Sequence, residues 1–144
     1  MDYLKIKTIF YTAVCAVGGI LSSLFGGLDM SLVTLIVFMG VDYLTGLIVA
    51  GVFHRSGKSE SGSLESRAGW KGLLRKGVTL LVVLVAARLD IMLGVSFVRD
   101  AAVLAYIVNE VLSIIENAGL MGIPIPAALK NAIEALSKKG GEKE

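Results

Sequence analysis

The stretch MSLVTLIVFMGVDYLTGLIVAGVF, residues 30–53, decides the fold class of this chain. It is apolar along its whole length apart from one ionisable side chain, Asp42. A bilayer core of roughly 30 Å needs about 20 helical residues, whereas a membrane strand needs about 9–11 residues that alternate in polarity. Because a lipid-exposed segment must satisfy its own backbone hydrogen bonds, the stretch predicts a membrane-spanning helix.

Three further runs of similar length and polarity, residues 8–28, 77–98 and 101–123, predict three more spans. The 144-residue chain is 55% hydrophobic and has a mean hydropathy of +0.77, more apolar surface than a soluble domain of this size could bury. We therefore expect one all-α membrane domain, residues 1–144, with a loop at 54–76 and a tail at 124–144. In the tail, Leu129, Ile133 and Leu136 share a face, which predicts a short amphipathic helix after Pro126.

The distribution of basic residues predicts the orientation of the four spans. Two Lys precede the first run, six Lys or Arg lie in the 54–76 loop, and four Lys lie in the tail. The two short hairpins, around residues 26–29 and 99–100, together hold one basic residue, Arg99. Since positively charged loops stay in the cytoplasm, both termini and the central loop are expected on the cytoplasmic side of the membrane.

Ionisable residues inside the predicted spans are a second signal, because each costs about 2.5–3.5 kcal/mol at the bilayer centre unless it faces protein or water. Asp42, Arg88 and Asp90 are predicted to form an intramembrane polar network. Arg88 lies at about the same depth as Asp42 and Glu110, so its partner could be either carboxylate.

The last span has a polar stripe within about 120° of arc, at 100° per residue. Two interpretations stay open: a buried packing seam, or a water-lined surface used for pore formation or oligomerisation. The second is our prediction, since the stripe carries more polar groups than one ion pair requires. Its members are Asn109, Glu110, Ser113, Glu116 and Asn117.

Small residues recur every four positions in the first span, at Gly18, Ser22 and Gly26. This spacing lets two helix backbones approach closely, so it predicts a helix-packing face within or between subunits. Gly46 gives the second span a weaker version of the same pattern.

Several function classes have no support in the sequence. There is one His and one Cys, and no motif for metal-dependent, nucleophilic or phosphate-binding chemistry, so we expect no catalytic residues, metal or cofactor. A net charge of +2 does not indicate a nucleic-acid partner. The expected partners are the lipid bilayer and further copies of the chain.

Three short motifs, in order, resemble the toxin-secretion/phage-lysis holin family. They are Asp42-Tyr43-Leu44-Thr45-Gly46, the segment Lys71-Gly72-Leu73-Leu74-Arg75-Lys76, and Asn109-Glu110 with Ser113-Ile114 and Glu116-Asn117. Gly122, Pro124, Pro126 and Leu129 follow, so the resemblance covers about residues 36–136.

The resemblance implies a bacteriophage-type holin, a protein that accumulates in the host cytoplasmic membrane and forms homo-oligomeric lesions. Such lesions release an endolysin or a secreted toxin, without implied direct binding, and lead to host cell lysis. Two other functions remain as alternatives: a small ion or proton channel or transporter, and a non-conducting membrane scaffold or holin antagonist.

Overall fold

The structure, a computed structural model, describes residues 2–141, without the side chains of residues 137, 140 and 141. Over this part of the chain it consists of helices joined by turns and loops and contains no strand. This confirms the all-α prediction. The helices are α1 (Tyr3–Leu24), α2 (Met30–Ile48), α3 (Ser66–Leu93), α4 (Val98–Leu120) and α5 (Ala127–Gly141).

Within residues 2–141, two helical segments are long and apolar enough, by length and composition, to cross a membrane. One is α1, Tyr3–Leu24, and the other is α2 together with the π-helical turn Val49–Phe53 that continues it. The tight connection predicted between them is observed, with Gly26 and Gly27 both at positive φ. Helices α3 and α4 carry more charged residues, and their side chains are described below.

The boundaries of the third helix differ from the prediction. It begins at Ser66 instead of 77, so the second half of the predicted loop is helical. It ends at Leu93, where Gly94 adopts a φ of +68°, and α4 already begins at Val98. The second hairpin is therefore centred on residues 94–97, and Arg99 lies in the first turn of α4.

Helix α4 is the central element, because it packs against α2, α3 and α5. An apolar, buried core lies between α2, α3 and α4. By contrast, α1 has no buried residue and touches α3 at one end, so its apolar surface is free on nearly all sides. The core consists of Leu32, Leu35, Met39, Val83, Val103 and Ile107.

The predicted amphipathic tail helix is present as α5. Ile133 is buried, whereas Leu129 on the same side of the helix remains exposed. Because α5 contacts α4, its apolar face is at least partly used inside the molecule.

Candidate functional site

A lysine between two carboxylates forms the centre of the helix bundle. The Lys76 Nζ atom of α3 lies 2.8 Å from Asp42 Oδ2 of α2 and 2.5 Å from Glu110 Oε2 of α4. The three side chains are 14%, 7% and 8% exposed, respectively. One ammonium therefore joins three helices through charge-assisted hydrogen bonds, which are about twice as strong as neutral ones.

The positions of these residues along their helices explain why they meet. Lys76 lies ten residues after the start of α3 at Ser66, and Glu110 lies ten residues before the end of α4 at Leu120. At 1.5 Å per residue, both are about 15 Å from the same end of the bundle. Asp42 is at a similar distance from Phe53, where the π-helical turn after α2 ends. We call these three side chains the charged layer.

Asn117, one of the stripe residues, connects α4 to α2 next to the charged layer. Its Nδ2 atom donates to Asp42 Oδ1 at 3.1 Å and to Thr45 Oγ1 at 2.9 Å. An added Cβ at Gly46 would lie 3.8 Å from that nitrogen, so Gly46 is close to the Asn117 side chain of α4. The Asn117 amide and the Asp42 carboxylate are both buried, and each gives the other a hydrogen-bond partner, as buried polar groups require.

The charged layer holds two carboxylates and one ammonium, and the central loop supplies a further cation. Lys58 Nζ lies 3.9 Å from Asp42 Oδ1, and the Lys58 side chain is 55% exposed. A pair this long and this exposed stabilises weakly. The loop that carries it is held by its own hydrogen bonds, including Ser56 N to Gly62 O at 3.0 Å.

A cavity of about 890 Å³ lies between α2, α3, α4 and the central loop. The charged layer forms part of its wall, and so do four of the five stripe residues: Asn109, Glu110, Ser113 and Glu116. Within the stripe, Glu110 and Asn117 are buried, Ser113 is half-buried, and Asn109 and Glu116 are exposed. The stripe is therefore partly a packing seam and partly a polar cavity wall.

Two residues of the predicted polar network lie elsewhere. The Arg88 side chain is exposed, and among the described residues it forms no ion pair; Lys76 occupies the place between Asp42 and Glu110. Asp90 is buried at the other end of the bundle, where its carboxylate accepts hydrogen bonds from the backbone N–H groups of Val98 and Arg99 at 2.9 and 3.0 Å. It caps the start of α4 from α3, a role that its sequence neighbours do not reveal.

Sequence reasoning missed Lys76 because Arg75 and Lys76 precede an apolar run and were assigned to a cytoplasmic loop. A signal was present: Lys76 lies ten residues after Ser66, the first residue of a Ser-Arg-Ala-Gly-Trp segment that can start a helix. A helix that begins at Ser66 places Lys76 at the same position along the bundle as Glu110.

The Arg99 side chain connects the two hairpins at the end of the bundle opposite the cavity. Its guanidinium donates to both Asp29 carboxylate oxygens, at 2.8 and 3.1 Å, and to Gly27 O at 3.0 Å. Asp29 also caps α2, accepting from Leu32 N at 3.0 Å. The hydrogen bond from Arg99 holds the pKa of the Asp29 carboxyl below its ordinary value. We call this arrangement the Arg99 clasp.

The small-residue face of α1 meets no helix of the same subunit along most of its length. A Cβ added at Gly18 would have no neighbour within 4 Å, and Ser22 is half-buried. At Gly26, φ is +73° and an added Cβ would lie 3.9 Å from Arg99 Cδ. Gly26 thus serves the turn and the Arg99 clasp, while the role of the face between subunits stays a prediction.

Comparison with known families adds to this geometry. The model of the bacteriophage holin family matches residues 19–138, which include the charged layer, the cavity and most of the described tail. The chain belongs to the bacteriophage holin family. This confirms the resemblance drawn from the motifs in α2, α3 and α4. The holin family is not a family of enzymes.

Relatives of this holin-family chain occur in bacteria and in a phage. It is 34% identical to an uncharacterized Listeria monocytogenes protein, over 96% of this chain and 94% of the relative. It is 38% identical to an uncharacterized 14.9 kDa protein of Clostridium perfringens, over 88% of this chain and 91% of the relative. It is 36% identical to the probable holin of Bacillus phage phi105, over 72% of this chain and 71% of that protein. No solved structure matches the chain.

Proposed function

We propose that this protein is a holin that accumulates in the bacterial cytoplasmic membrane, oligomerises there and forms lesions that release an endolysin or a toxin, which leads to lysis. Family membership and the similarity to a probable phage holin support this role. The observation that carries it is the polar stripe of α4: Glu110 and Asn117 are buried against α2 and α3, while the exposed Asn109 and Glu116 line a cavity.

In this proposal α1, α2, α3 and α4 all span the membrane. Helices α3 and α4 have 28 and 23 residues, which at 1.5 Å per residue is long enough to cross a bilayer core of roughly 30 Å. Each of their buried charged side chains has a polar partner, as charges at membrane depth must have. Glu110 pairs with Lys76, Asp90 accepts two backbone N–H groups, and Arg99 pairs with a carboxylate of the first hairpin. Lys and Arg are in excess in the 54–65 loop with the first turns of α3 and in both terminal regions, which favours a cytoplasmic position for all three.

The stripe provides a physical route from a closed subunit to a lesion. In a separate subunit, Asn109 and Glu116 face the cavity, where the central loop and α3 partly cover them. In a ring of subunits the same side chains can face a shared aqueous lumen, where their hydration is complete. Two arrangements with different exposure of one polar surface form a bistable element, and rising subunit density shifts the balance toward the ring.

Replacing Asn109 and Glu116 together with Leu tests the proposal. Both side chains are exposed in the cavity wall, so the variant should accumulate in the membrane at the level of the unchanged protein, since apolar residues insert more easily. It should then fail to release a cytoplasmic reporter enzyme when co-expressed with an endolysin. The matched control is Glu134→Leu on the exposed face of α5, which should lyse on schedule.

Normal timing of reporter release by the double variant, at normal membrane levels, would show that the α4 stripe does not line the lesion.

The charged layer favours a second candidate, a small ion or proton channel, because buried carboxylates and an ammonium at one level resemble a conduction site. The size of the released solute separates the two: a holin releases the enzyme, a channel dissipates ion gradients alone, and a scaffold or antagonist releases nothing.

A further inference from the structure

The outer part of the cavity contains charged side chains that are not used by the charged layer. Lys71 and Arg75 of α3 and Glu116 of α4 all line it, and among the described residues none of the three takes part in an ion pair. The other outer carboxylate, Glu65, accepts a hydrogen bond from Ser61 Oγ at 2.8 Å. Two cations and one carboxylate are therefore free to bind a ligand in the same cavity.

The distance of these side chains from the end of the bundle indicates the depth at which a ligand would bind. Lys71 lies five residues after the start of α3, and Glu116 lies four residues before the end of α4, so both are about 6–8 Å from the same end of the bundle. The exposed Trp70 precedes Lys71 directly, and Trp is enriched at the membrane–water interface. Arg75 lies one helical turn further along α3, about 14 Å from that end. In the proposed four-span arrangement Lys71 and Glu116 therefore lie near the headgroups of the cytoplasmic leaflet, and Arg75 lies one turn deeper.

Part of the remaining cavity wall is apolar, whereas the loop serines 56, 59 and 63 make another part of it polar. Leu64 of the loop, Leu74 and Val78 of α3, and Leu112 of α4 line the apolar part, and the three leucines are largely exposed. A ligand that fits must carry an anionic group for Lys71 and Arg75, a hydrogen-bonding cation for Glu116, and apolar chains for these side chains. A free phosphate ion meets the first requirement alone.

We propose that the cavity binds a membrane phospholipid with a primary-amine headgroup, of the phosphatidylethanolamine type. The phosphate lies between Lys71 and Arg75, and the ammonium donates to the Glu116 carboxylate. Basic pockets between membrane helices on the cytoplasmic side bind anionic lipid headgroups, and the Glu116 carboxylate in this cavity adds an acceptor for an ammonium group. The inference rests on the proposed membrane arrangement, and the lipid would cover Asn109 and Glu116 while the subunits are separate.

The test measures lipid retention by the purified, delipidated full-length chain in detergent. Phosphatidylethanolamine, phosphatidylcholine and phosphatidylglycerol with identical acyl chains are added singly, and native mass spectrometry counts the bound molecules. We expect several-fold higher retention of phosphatidylethanolamine than of the other two. Glu116→Gln should reduce its advantage over phosphatidylcholine to about one, since trimethylated ammonium cannot donate to the carboxylate. Lys71→Ala with Arg75→Ala should lower the retention of all three.

The matched control is Lys138→Ala with Lys139→Ala, which removes two exposed cations from α5 and should leave retention unchanged. Circular dichroism checks that each variant is folded. Equal retention of the three lipids by the unchanged protein would overturn the proposal, and so would unaltered retention in folded Lys71/Arg75 or Glu116 variants. Displacement by millimolar inorganic phosphate would reveal a simple anion site and would also overturn it. Because binding is measured without lysis, a failure of the holin proposal in cells is distinguishable from a failure of this one.

Discussion

Replacing Lys76 with Met removes the ammonium between Asp42 and Glu110 while keeping an unbranched side chain of similar length. Two carboxylates, 7% and 8% exposed, then share a site without the cation that lies 2.8 and 2.5 Å from their oxygens. Breaking a buried ion pair by removing one partner costs about 3–5 kcal/mol. Lys58 can offset little of this, because it is 3.9 Å away and mostly exposed.

A loss of that size lowers the ratio of folded to unfolded protein by roughly two to four powers of ten. The measurement is the free energy of unfolding of the purified chain in mixed detergent micelles, followed by circular dichroism. Arg88→Met is the matched control, because the sequence alone favoured Arg88 as the cation of the network. Its side chain is exposed, so we expect a change within about 0.5 kcal/mol.

A second variant separates the loss of charge pairing from a simple loss of packing. Combining Lys76→Met with Asp42→Asn and Glu110→Gln makes the whole layer neutral, and replacing all members of a buried ionic group is often close to neutral in stability. The triple variant should therefore recover most of the stability that the single change removes. If Lys76→Met is as stable as Arg88→Met, or if the triple variant is no more stable than the single one, the charged layer does not hold the bundle together.

Three further predictions concern the two ends of the bundle and α1. Because the pKa of Asp29 is lowered in the folded protein, the stability from the Arg99 clasp is complete above the ordinary Asp value of about 3.9 and is lost as the pH falls below it. In the Asp29→Asn variant, the free energy of unfolding should fall less steeply as the pH drops below that value, and its pH dependence elsewhere should be unchanged. Single cysteines at Ser61 and Lys130 should resist a membrane-impermeant thiol reagent in intact cells, and labelling from outside would contradict the proposed orientation. Ser22→Leu should reduce crosslinked oligomers; unchanged crosslinking would mean that this face of α1 contacts lipid alone.

The sequence was sufficient for the helical class and for the first hairpin, because long apolar runs and a Gly-Gly turn are local signals. It was insufficient for the start of α3. The polar residues 66–76 form helix because they continue into an apolar helix that packs on α4, and this tertiary support is invisible in a local pattern. The error of several residues at that boundary moved Lys76 out of the bundle and left Arg88 as the apparent cation.

The second hairpin was misplaced for a similar reason. Residues 94–98 are uncharged, so the pair Arg99-Asp100 was the nearest polar candidate for a turn. In the structure, Gly94 at positive φ ends α3, and the buried Asp90 carboxylate receives the first N–H groups of α4. Arg99 is thereby freed to reach across to Asp29, a contact between residues 70 positions apart that no local pattern predicts.

The α4 stripe, by contrast, was found from sequence, but its division into two parts was not. At 100° per residue, Glu110 and Asn117 lie within about 20° of one another, on the side where Val103 and Ile107 are buried. Asn109 and Glu116 also lie within about 20° of one another, but about 100° away, toward the cavity. Helical periodicity reports which residues share an arc but not where a neighbouring helix meets that arc. The buried edge, Glu110 and Asn117, contacts α2 and α3 within one subunit. In the proposed mechanism it is therefore the exposed edge, Asn109 and Glu116, that turns from the cavity to a shared lumen while the helix contacts of the subunit remain.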